Sequence, residues 1–371
     1  MKRVLFAGGG TGGHLYPALN LAAALEALRD DVEAHFVGAK RGIEARVFPE
    51  KGVPHVLLPL EPIRRSKIWQ NWRLLLSAVG TMRGLRLVGR RLDPDLVVGT
   101  GGYASGPVGV WAVVRGTPLA LQEQNSVPGL ATRWLSRRAR QIHLGFPEAR
   151  AHLRPGPETE VLALGNPIVP PESVDRGEAR RQLGLSEDAV VLLVVGGSQG
   201  SRAINEALLE AVNRVASGVL DRPEGLEVLW STGPAHEAAV RERLDVRLRA
   251  WVRPLAYIQR MSEALAAADV ALSRAGAMGT AELLAWGIPS VLVPLPTAAA
   301  DHQRHNAEAL EAAGAAVHLP ESELGPESLW ATVTDLLEDA ERRAAMAASA
   351  RSRARPDAAR AIAEHLSRLI P

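Results

Sequence analysis

A short apolar strand that runs into a cluster of glycines and then into an amphipathic helix occurs twice in this chain, and few folds accept that arrangement. Arg3–Ala7 leads into Gly8-Gly9-Gly10-Thr11-Gly12-Gly13-His14, with helical periodicity to about Leu28. Val190–Val195 leads into Gly196-Gly197-Ser198-Gln199-Gly200, with a helix through Ala203–Arg214. Further strand candidates are Glu33–Val37, Leu96–Val98, Leu119–Leu121, Ile142–Leu144 and Val161–Leu164 in the first half, then Val228–Ser231, Val270–Leu272 and Val291–Val293. Strands that alternate with helices predict parallel sheets covered on both faces. Two such beginnings in 371 residues predict two Rossmann-type units.

The texture breaks at Gly165-Asn166-Pro167-Ile168-Val169-Pro170-Pro171, which can continue neither a helix nor a central strand. The expected division is an N-terminal domain over 1–165, a second domain over 166–350 and a terminal segment over 351–371, with Pro356–Ile370 reading as a last amphipathic helix. The absence of cysteine excludes disulfides, thiolate-held metals and cysteine nucleophiles. No run reaches the ~18 apolar residues of a membrane span. Met1–Ala7 has no signal-peptide architecture, so a cytoplasmic protein is expected.

Glycines at a strand end admit positive φ and let backbone N–H groups approach a ligand, and the following helix adds partial positive charge. Both loops therefore suit a phosphate or another anion. Gly8, Gly10 and Gly13 also fit G-x-G-x-x-G, with Asp30, Asp31 and Glu33 about 20 residues on. On this pattern an NAD-dependent oxidoreductase stays open, as does a tight turn with no ligand. No Gly-Lys-Ser/Thr follows, which excludes a Walker A loop. Asp93-Pro94-Asp95 has the D-x-D form of a metal motif, but its proline and its place before Leu96–Val98 read as the lead-in to a strand.

Six segments, taken in order, make the pattern specific. They are Gly8–His14, Gly101-Gly102-Tyr103-Ala104-Ser105-Gly106-Pro107, Glu123-Gln124-Asn125, Gly196–Gly200, Ser273-Arg274-Ala275-Gly276-Ala277-Met278-Gly279-Thr280-Ala281-Glu282 and Asp301-His302-Gln303-Arg304-His305-Asn306-Ala307. Together they resemble the MurG family, bacterial transferases that add N-acetylglucosamine (GlcNAc) to the lipid-linked muramyl-pentapeptide of cell-wall synthesis. The resemblance covers nearly the whole chain. It implies an α/β GT-B fold: two Rossmann-like domains, an active site in the cleft between them, and a C-terminal helix that packs back on the first. It implies UDP-GlcNAc as donor, lipid I as acceptor, lipid II and UDP as products, and inversion at the anomeric carbon. No cofactor and no protein-held metal belong to this expectation, and other cell-wall synthesis proteins are expected partners. Another GT-B transferase or a nucleotide-sugar epimerase is the nearest alternative.

The resemblance also assigns roles. Uracil is expected against the backbone of Ile258, and the ribose hydroxyls on Glu282, whose carboxylate offers two acceptors to two donors. Ser198 and its neighbouring N–H groups are expected to hold the diphosphate. The helix start at Ala277, Met278 and Gly279, within a loop that runs on through Thr280 and Ala281, faces the phosphates and sugar, with Arg274 in electrostatic support. Gln303 and Asn125 are expected on GlcNAc hydroxyls. Thr11, Gly12 and Gly13 belong to the first anion-suited loop, which presents His14 as the base. Imidazole exchanges protons readily near neutral pH. Phosphate binding by His14 and base catalysis by Glu123 stay open as alternatives.

Two positions depart from the usual pattern. Gln122 stands where many members have histidine before Glu-Gln-Asn, and Val169 stands where many have arginine after Asn-Pro-x.

Although net charge is only +2, Pro62–Leu92 contains no acidic residue. It carries Arg64, Arg65, Lys67, Arg73, Arg83, Arg86, Arg90 and Arg91 together with Trp69 and Trp72. Such a stretch suits an anionic membrane surface, each cation contributing about 1 kcal/mol there. A lipid-linked acceptor demands that contact, so the expected location is the inner face of the cell membrane, held peripherally. A solvated basic helix is the plainer alternative. Nucleic-acid binding is not expected, since no recognised module supports it.

Overall fold

The computed structural model describes residues 1–61 and 72–371. They form two compact units, one of Met1–Val169 with Arg355–Pro371 and one of Pro170–Ala354. Both changes of unit fall a few residues after the breaks expected at 165/166 and 350/351. Asn166 and Pro167 still belong to the first unit: Asn166 bonds to Gln122 and Gln124, and the Pro167 carbonyl accepts from Asn20 at 2.7 Å.

In the first unit β1 (Lys2–Gly8), β2 (Val32–Ala39), β3 (His55–Leu58), β4 (Leu96–Gly101), β5 (Leu119–Glu123), β6 (Gln141–Leu144) and β7 (Glu160–Leu162) form one sheet in the order β3-β2-β1-β4-β5-β6-β7. All its pairings are parallel. The strands are apolar on both sides because both faces are covered. Leu5 and Ala7 join one core layer, while Val4 and Phe6 join the other.

The last helix, Ala358–Ser367, completes the second layer through Ile362, Ala363 and Leu366, packing on the helix Gly12–Leu28. The Arg29 guanidinium donates to the carbonyls of Ser367 and Ile370, each at 3.3 Å. A cation there suits the negative end of a helix. Beneath this helix, His143 of β6 is fully buried with both ring nitrogens unpartnered, its ring 6.2 Å from that of His365. Burial, and then the neighbouring His365, push the His143 imidazole down to about 3.

The second unit repeats the plan. Its strands are β8 (Val190–Val195), β9 (Leu226–Ser231), β10 (Val252–Leu255), β11 (Val270–Ser273), β12 (Ser290–Leu292) and β13 (Ala316–His318), in the order β10-β9-β8-β11-β12-β13. These pairings are also parallel. In both sheets the strand order reverses beside the first strand. Ligands of open α/β sheets bind at that switch point, beyond the carboxyl ends of the strands.

Candidate functional site

In the second unit the switch point between β8 and β11 opens into a cavity of about 670 Å³. Its wall includes Gly196, Gly197, Gly200 and Ser201 after β8, Arg274, Gly276 and Gly279 after β11, and Gln303. The glycines explain the opening. A Cβ built on Gly197, Gly276 or Gly279 would meet nothing within 4 Å, so bare backbone lines free space. Two helices, Arg202–Ala216 and Ala277–Trp286, begin at this wall with no acidic residue in the first turn. Their first-turn amides lack intrahelical acceptors, which makes each start a seat for an anion.

The side chains around the cavity are fixed by the fold. Arg274 donates to the carbonyls of Val293 and Pro294 at 3.1 and 3.0 Å and pairs with Glu321 at 2.5 Å. The Gln303 oxygen accepts from the Leu295 N–H at 3.0 Å, which commits its oxygen end and orients its NH2 group. Asn306, from the same motif, is buried and donates to the Ala275 carbonyl at 3.1 Å, holding the β11 loop. Glu282 is half-buried on the Ala277–Trp286 helix, and burial pushes its carboxyl up to about 7. A carboxyl so placed gains from any ligand that donates hydrogen bonds to its ionised form.

Other expected ligand groups, Glu282 among them, are not part of the cavity wall. Thr280 is 1% exposed and its hydroxyl donates back to the Gly276 and Ala277 carbonyls at 3.1 Å, so it braces the helix start. Ser198 is exposed, outside the cavity wall. The Ile258 side chain is buried in the loop after β10, and Met278 and Ala281 are half-buried on the Ala277–Trp286 helix. Arg202 was not anticipated from sequence. It is exposed at the first position of its helix, lines the cavity, and has no carboxylate partner among the described residues. A cation at a helix N-terminus is disfavoured unless an anion joins it.

The glycine loop of the first unit has a different construction. Cβ atoms on Gly8, Gly9 and Gly10 would stand 1.9 Å from Thr100 Oγ1, 2.4 Å from Glu44 Oε1 and 2.5 Å from the Tyr103 ring. Here glycine is required by protein packing. Glu44 is fully buried and its carboxylate accepts from the Gly10 N–H at 2.9 Å and the Ala39 N–H at 2.8 Å. The dinucleotide expectation fails on this geometry. The loop already holds a carboxylate, and β2 ends at Ala39, whereas Asp30 and Asp31 precede it. Asp31 pairs with Arg29 and Glu33 with His35. Asp93 and Asp95 lead into β4 as expected: Asp93 pairs with Arg115, and Asp95 accepts from the Arg3 N–H at 2.8 Å.

Beyond Gly10 the loop opens again. Thr11 and Gly13 are exposed, and the helix Gly12–Leu28 also lacks an acidic first turn. His14 is half-buried, with Nδ1 3.2 Å from the Thr100 carbonyl and 3.0 Å from Gln124 Oε1. Because a carbonyl only accepts, Nδ1 carries a proton, and in the neutral imidazole the lone pair is then on Nε2. Glu123 is different. It is 3% exposed and accepts from Asn125 N–H at 3.2 Å, Asn125 Nδ2 at 3.3 Å and Gly129 N–H at 3.0 Å. Its carboxylate anchors the loop after β5, and Asn125 is tied to it.

Sequence comparison agrees with this division. The glycosyltransferase family 28 N-terminal domain matches residues 4–144, and the family 28 C-terminal domain matches residues 191–362. A protein of Salinibacter ruber is 43% identical over 362 residues, 97% of this chain and 95% of that protein. Another, of Chlorobaculum tepidum, is 40% identical over 98% of both chains. Both are named UDP-N-acetylglucosamine–N-acetylmuramyl-(pentapeptide) pyrophosphoryl-undecaprenol N-acetylglucosamine transferase. The chain belongs to the MurG branch of glycosyltransferase family 28.

The crystal structure of Acinetobacter baumannii MurG superposes with a TM-score of 0.80 at 28% identity, over 99% of this chain and all of that one. Two parallel Rossmann-type sheets of the GT-B class are thus the fold of this family member. A Staphylococcus aureus MnaA structure with UDP shares the fold at a TM-score of 0.68 and 15% identity. Among the described residues no helix is long and apolar enough to cross a membrane. Arg64, Arg65, Lys67 and Trp69 lie outside the described residues, as do the side chains of Trp72 and Arg73. The rest of that helix, Trp72–Arg91, turns Leu85 and Val88 inward and leaves Val79, Met82, Arg83, Arg86, Leu87 and Arg90 exposed.

Proposed function

We propose that this family-28 member transfers GlcNAc from UDP-GlcNAc to the muramyl sugar of lipid I, giving lipid II and UDP with inversion at the anomeric carbon. The observation that carries the donor assignment is the open glycine wall at the β8/β11 switch point, faced by two helix starts and Arg202. That surface suits a diphosphate, with Glu282 on the ribose diol, the Ile258 backbone on uracil and Gln303 on the sugar. The named relatives carry the acceptor assignment.

Inverting transfer is one displacement. The acceptor hydroxyl oxygen bonds to the anomeric carbon while the bond from that carbon to the diphosphate oxygen breaks. UDP departs with the electron pair, and the hydroxyl proton passes to a base. His14 fits this role, with its proton on Nδ1 and its lone pair on Nε2. Glu123 fits poorly, because its carboxylate oxygens are already taken up by three N–H groups of its own loop. The charge growing on UDP meets loop amides and the Arg202 guanidinium, which are in place before reaction.

Reaching a lipid-linked acceptor needs a membrane-facing surface. The exposed Val79, Met82 and Leu87, interleaved with Arg83, Arg86 and Arg90, support peripheral binding at the inner face of an anionic membrane. The test is UDP release from UDP-GlcNAc with and without lipid I. Release that requires lipid I is expected. No release with both present would sink the assignment, and release from donor alone would favour a hydrolase or an epimerase.

A further inference from the structure

The imidazole of His14 rests against a run of buried amides that proton transfer alone does not explain. The Gln124 NH2 group donates to the Thr100 carbonyl at 2.8 Å, to the Gln122 carbonyl at 3.3 Å and to Gln122 Oε1. Since the Thr100 carbonyl can only accept, the amide end beside it is NH2, and the end facing His14 Nδ1 at 3.0 Å is oxygen. Gln122 is oriented in its turn. Its NH2 donates to Asn166 Oδ1 at 3.2 Å, and the Asn166 NH2 donates to the Gln124 carbonyl at 3.0 Å. The three side-chain amides thus run in a chain that closes on the Gln124 backbone carbonyl.

The circuit is sealed. Gln122, Gln124 and Asn166 are 0, 1 and 3% exposed, so bulk water does not compete for their bonds. Two glycines leave the space it needs. A Cβ on Gly101 would stand 2.7 Å from His14 Nδ1, and one on Gly145 would stand 2.3 Å from Asn166 Oδ1. The departure at position 122 also finds its reason here. Glutamine offers one NH2 group and one oxygen on a flexible stem, and the circuit uses both.

We propose that Gln124 is a positioning residue for the transfer: held by Gln122 and Asn166, its oxygen keeps the His14 proton on Nδ1 and leaves Nε2 as the basic nitrogen for the acceptor hydroxyl. The alternative tautomer would point a lone pair at two oxygens, those of Thr100 and Gln124. Without Gln124, the Thr100 carbonyl at 3.2 Å is the remaining acceptor. The inference rests on His14 as the base.

The test uses the full-length protein labelled with ¹⁵N-histidine, the His14 signals being assigned by their loss in His14→Ala. Imidazole nitrogen shifts report which nitrogen carries the proton. Wild type is expected to show a protonated Nδ1 and a bare Nε2. Gln124→Leu is expected to mix the tautomers and to lower kcat on the order of tenfold, a fraction of the ~10²–10⁴ that a positioned base supplies. Donor KM stays within about twofold, because the donor wall belongs to the other unit. Circular dichroism and the thermal unfolding curve of each variant, matched to wild type, verify that the unit carrying Gln124 is folded.

An unchanged tautomer in Gln124→Leu overturns the proposal, as does a donor KM that moves as much as kcat. Failure of the underlying assignment looks different: kcat then survives in His14→Ala whatever the tautomer does.

Discussion

Replacing Glu282 with glutamine separates what the carboxylate does for the ligand from what it costs the fold. Burial raises its carboxyl from 4.5 to about 7, so the folded protein disfavours the charge. Below the unfolded value both states are protonated and no penalty arises. As pH climbs from 4.5 to about 7 the unfolded chain ionises first, and folded stability falls. Above about 7 the penalty is complete, on the order of 3 kcal/mol, since each tenfold change in proton affinity is worth ~1.4 kcal/mol. Glu282→Gln therefore raises the melting temperature at pH 8 by several degrees, taking ~2–4 °C per kcal/mol for a domain of this size. The gain fades toward pH 5. UDP affinity moves the other way. Glutamine keeps one acceptor oxygen, so about one bond to a charged acceptor, worth roughly 1.5–3 kcal/mol, is lost, and Kd rises on the order of tenfold to a hundredfold. In wild type, UDP binding weakens up to about tenfold per pH unit below 7, because the carboxyl must first lose its proton. Differential scanning calorimetry and titration calorimetry with UDP across pH 5–8.5 read both effects, and the variant supplies the baseline for the titration of UDP itself. A variant less stable at pH 8, or one that retains both UDP affinity and its pH dependence, refutes the role given to this carboxylate.

Three further outcomes are expected. His143, pushed down to about 3, is neutral in the fold, so its contribution is complete above about 6.5 and is lost as pH falls from there toward 3. Thermal unfolding of His143→Leu should show a shallower acid limb, by up to ~1.4 kcal/mol per pH unit, and an unchanged limb would exclude this residue as the acid-sensitive group. Gly279→Ala places a methyl in open space at a helix start, so stability should hold or rise by about 0.5 kcal/mol. UDP-GlcNAc binding should fall at least tenfold, and unaltered donor KM would show that the ligand lies elsewhere. Arg202→Ala should weaken UDP by roughly tenfold while uridine binding is unmoved, and equal loss for both in calorimetric titration would show a role other than phosphate contact.

The strands most plainly legible in the sequence are apolar on both faces: Val190–Val195 and the stretches that became β1, β4 and β5 sit within their sheets under helices on either side, though the edge strand β7 was legible too. The three that sequence periodicity missed, β3, β10 and β13, are all edge strands. Their residues, His55-Val56-Leu57-Leu58, Val252-Arg253-Pro254-Leu255 and Ala316-Val317-His318, are short and mixed in polarity, and Pro254 is tolerable only where a ladder bond is not needed. The glycine loops, Arg274 and Gln303 were legible because backbone exposure and helix starts leave a local pattern. Glu44, Glu321 and the Gln122–Asn166 bond were not, since each joins segments far apart in sequence and carries no spacing signal. Arg202 lay beside a recognised loop, and the cue was the rule it breaks, a cation at the positive end of a helix.

Two loops with the same sequence logic thus end in different chemistry, and one buried carboxylate accounts for the difference. Strand, glycines and helix start generate positive potential at both switch points. In the first unit Glu44, 34 residues beyond Gly10, fills that potential from within, and Thr100 and Tyr103 occupy the space the glycines vacate. The loop becomes a rigid mount, and what it displays is the next residue in line, His14. In the second unit no carboxylate among the described residues bonds to the glycine turn, the Cβ positions of Gly197, Gly276 and Gly279 stay open, and a cation is added at Arg202. On the proposed reading, the anion that completes this surface is the donor's diphosphate. Whether a glycine turn holds a ligand is therefore decided by which group satisfies its amides, and that group can come from anywhere in the chain.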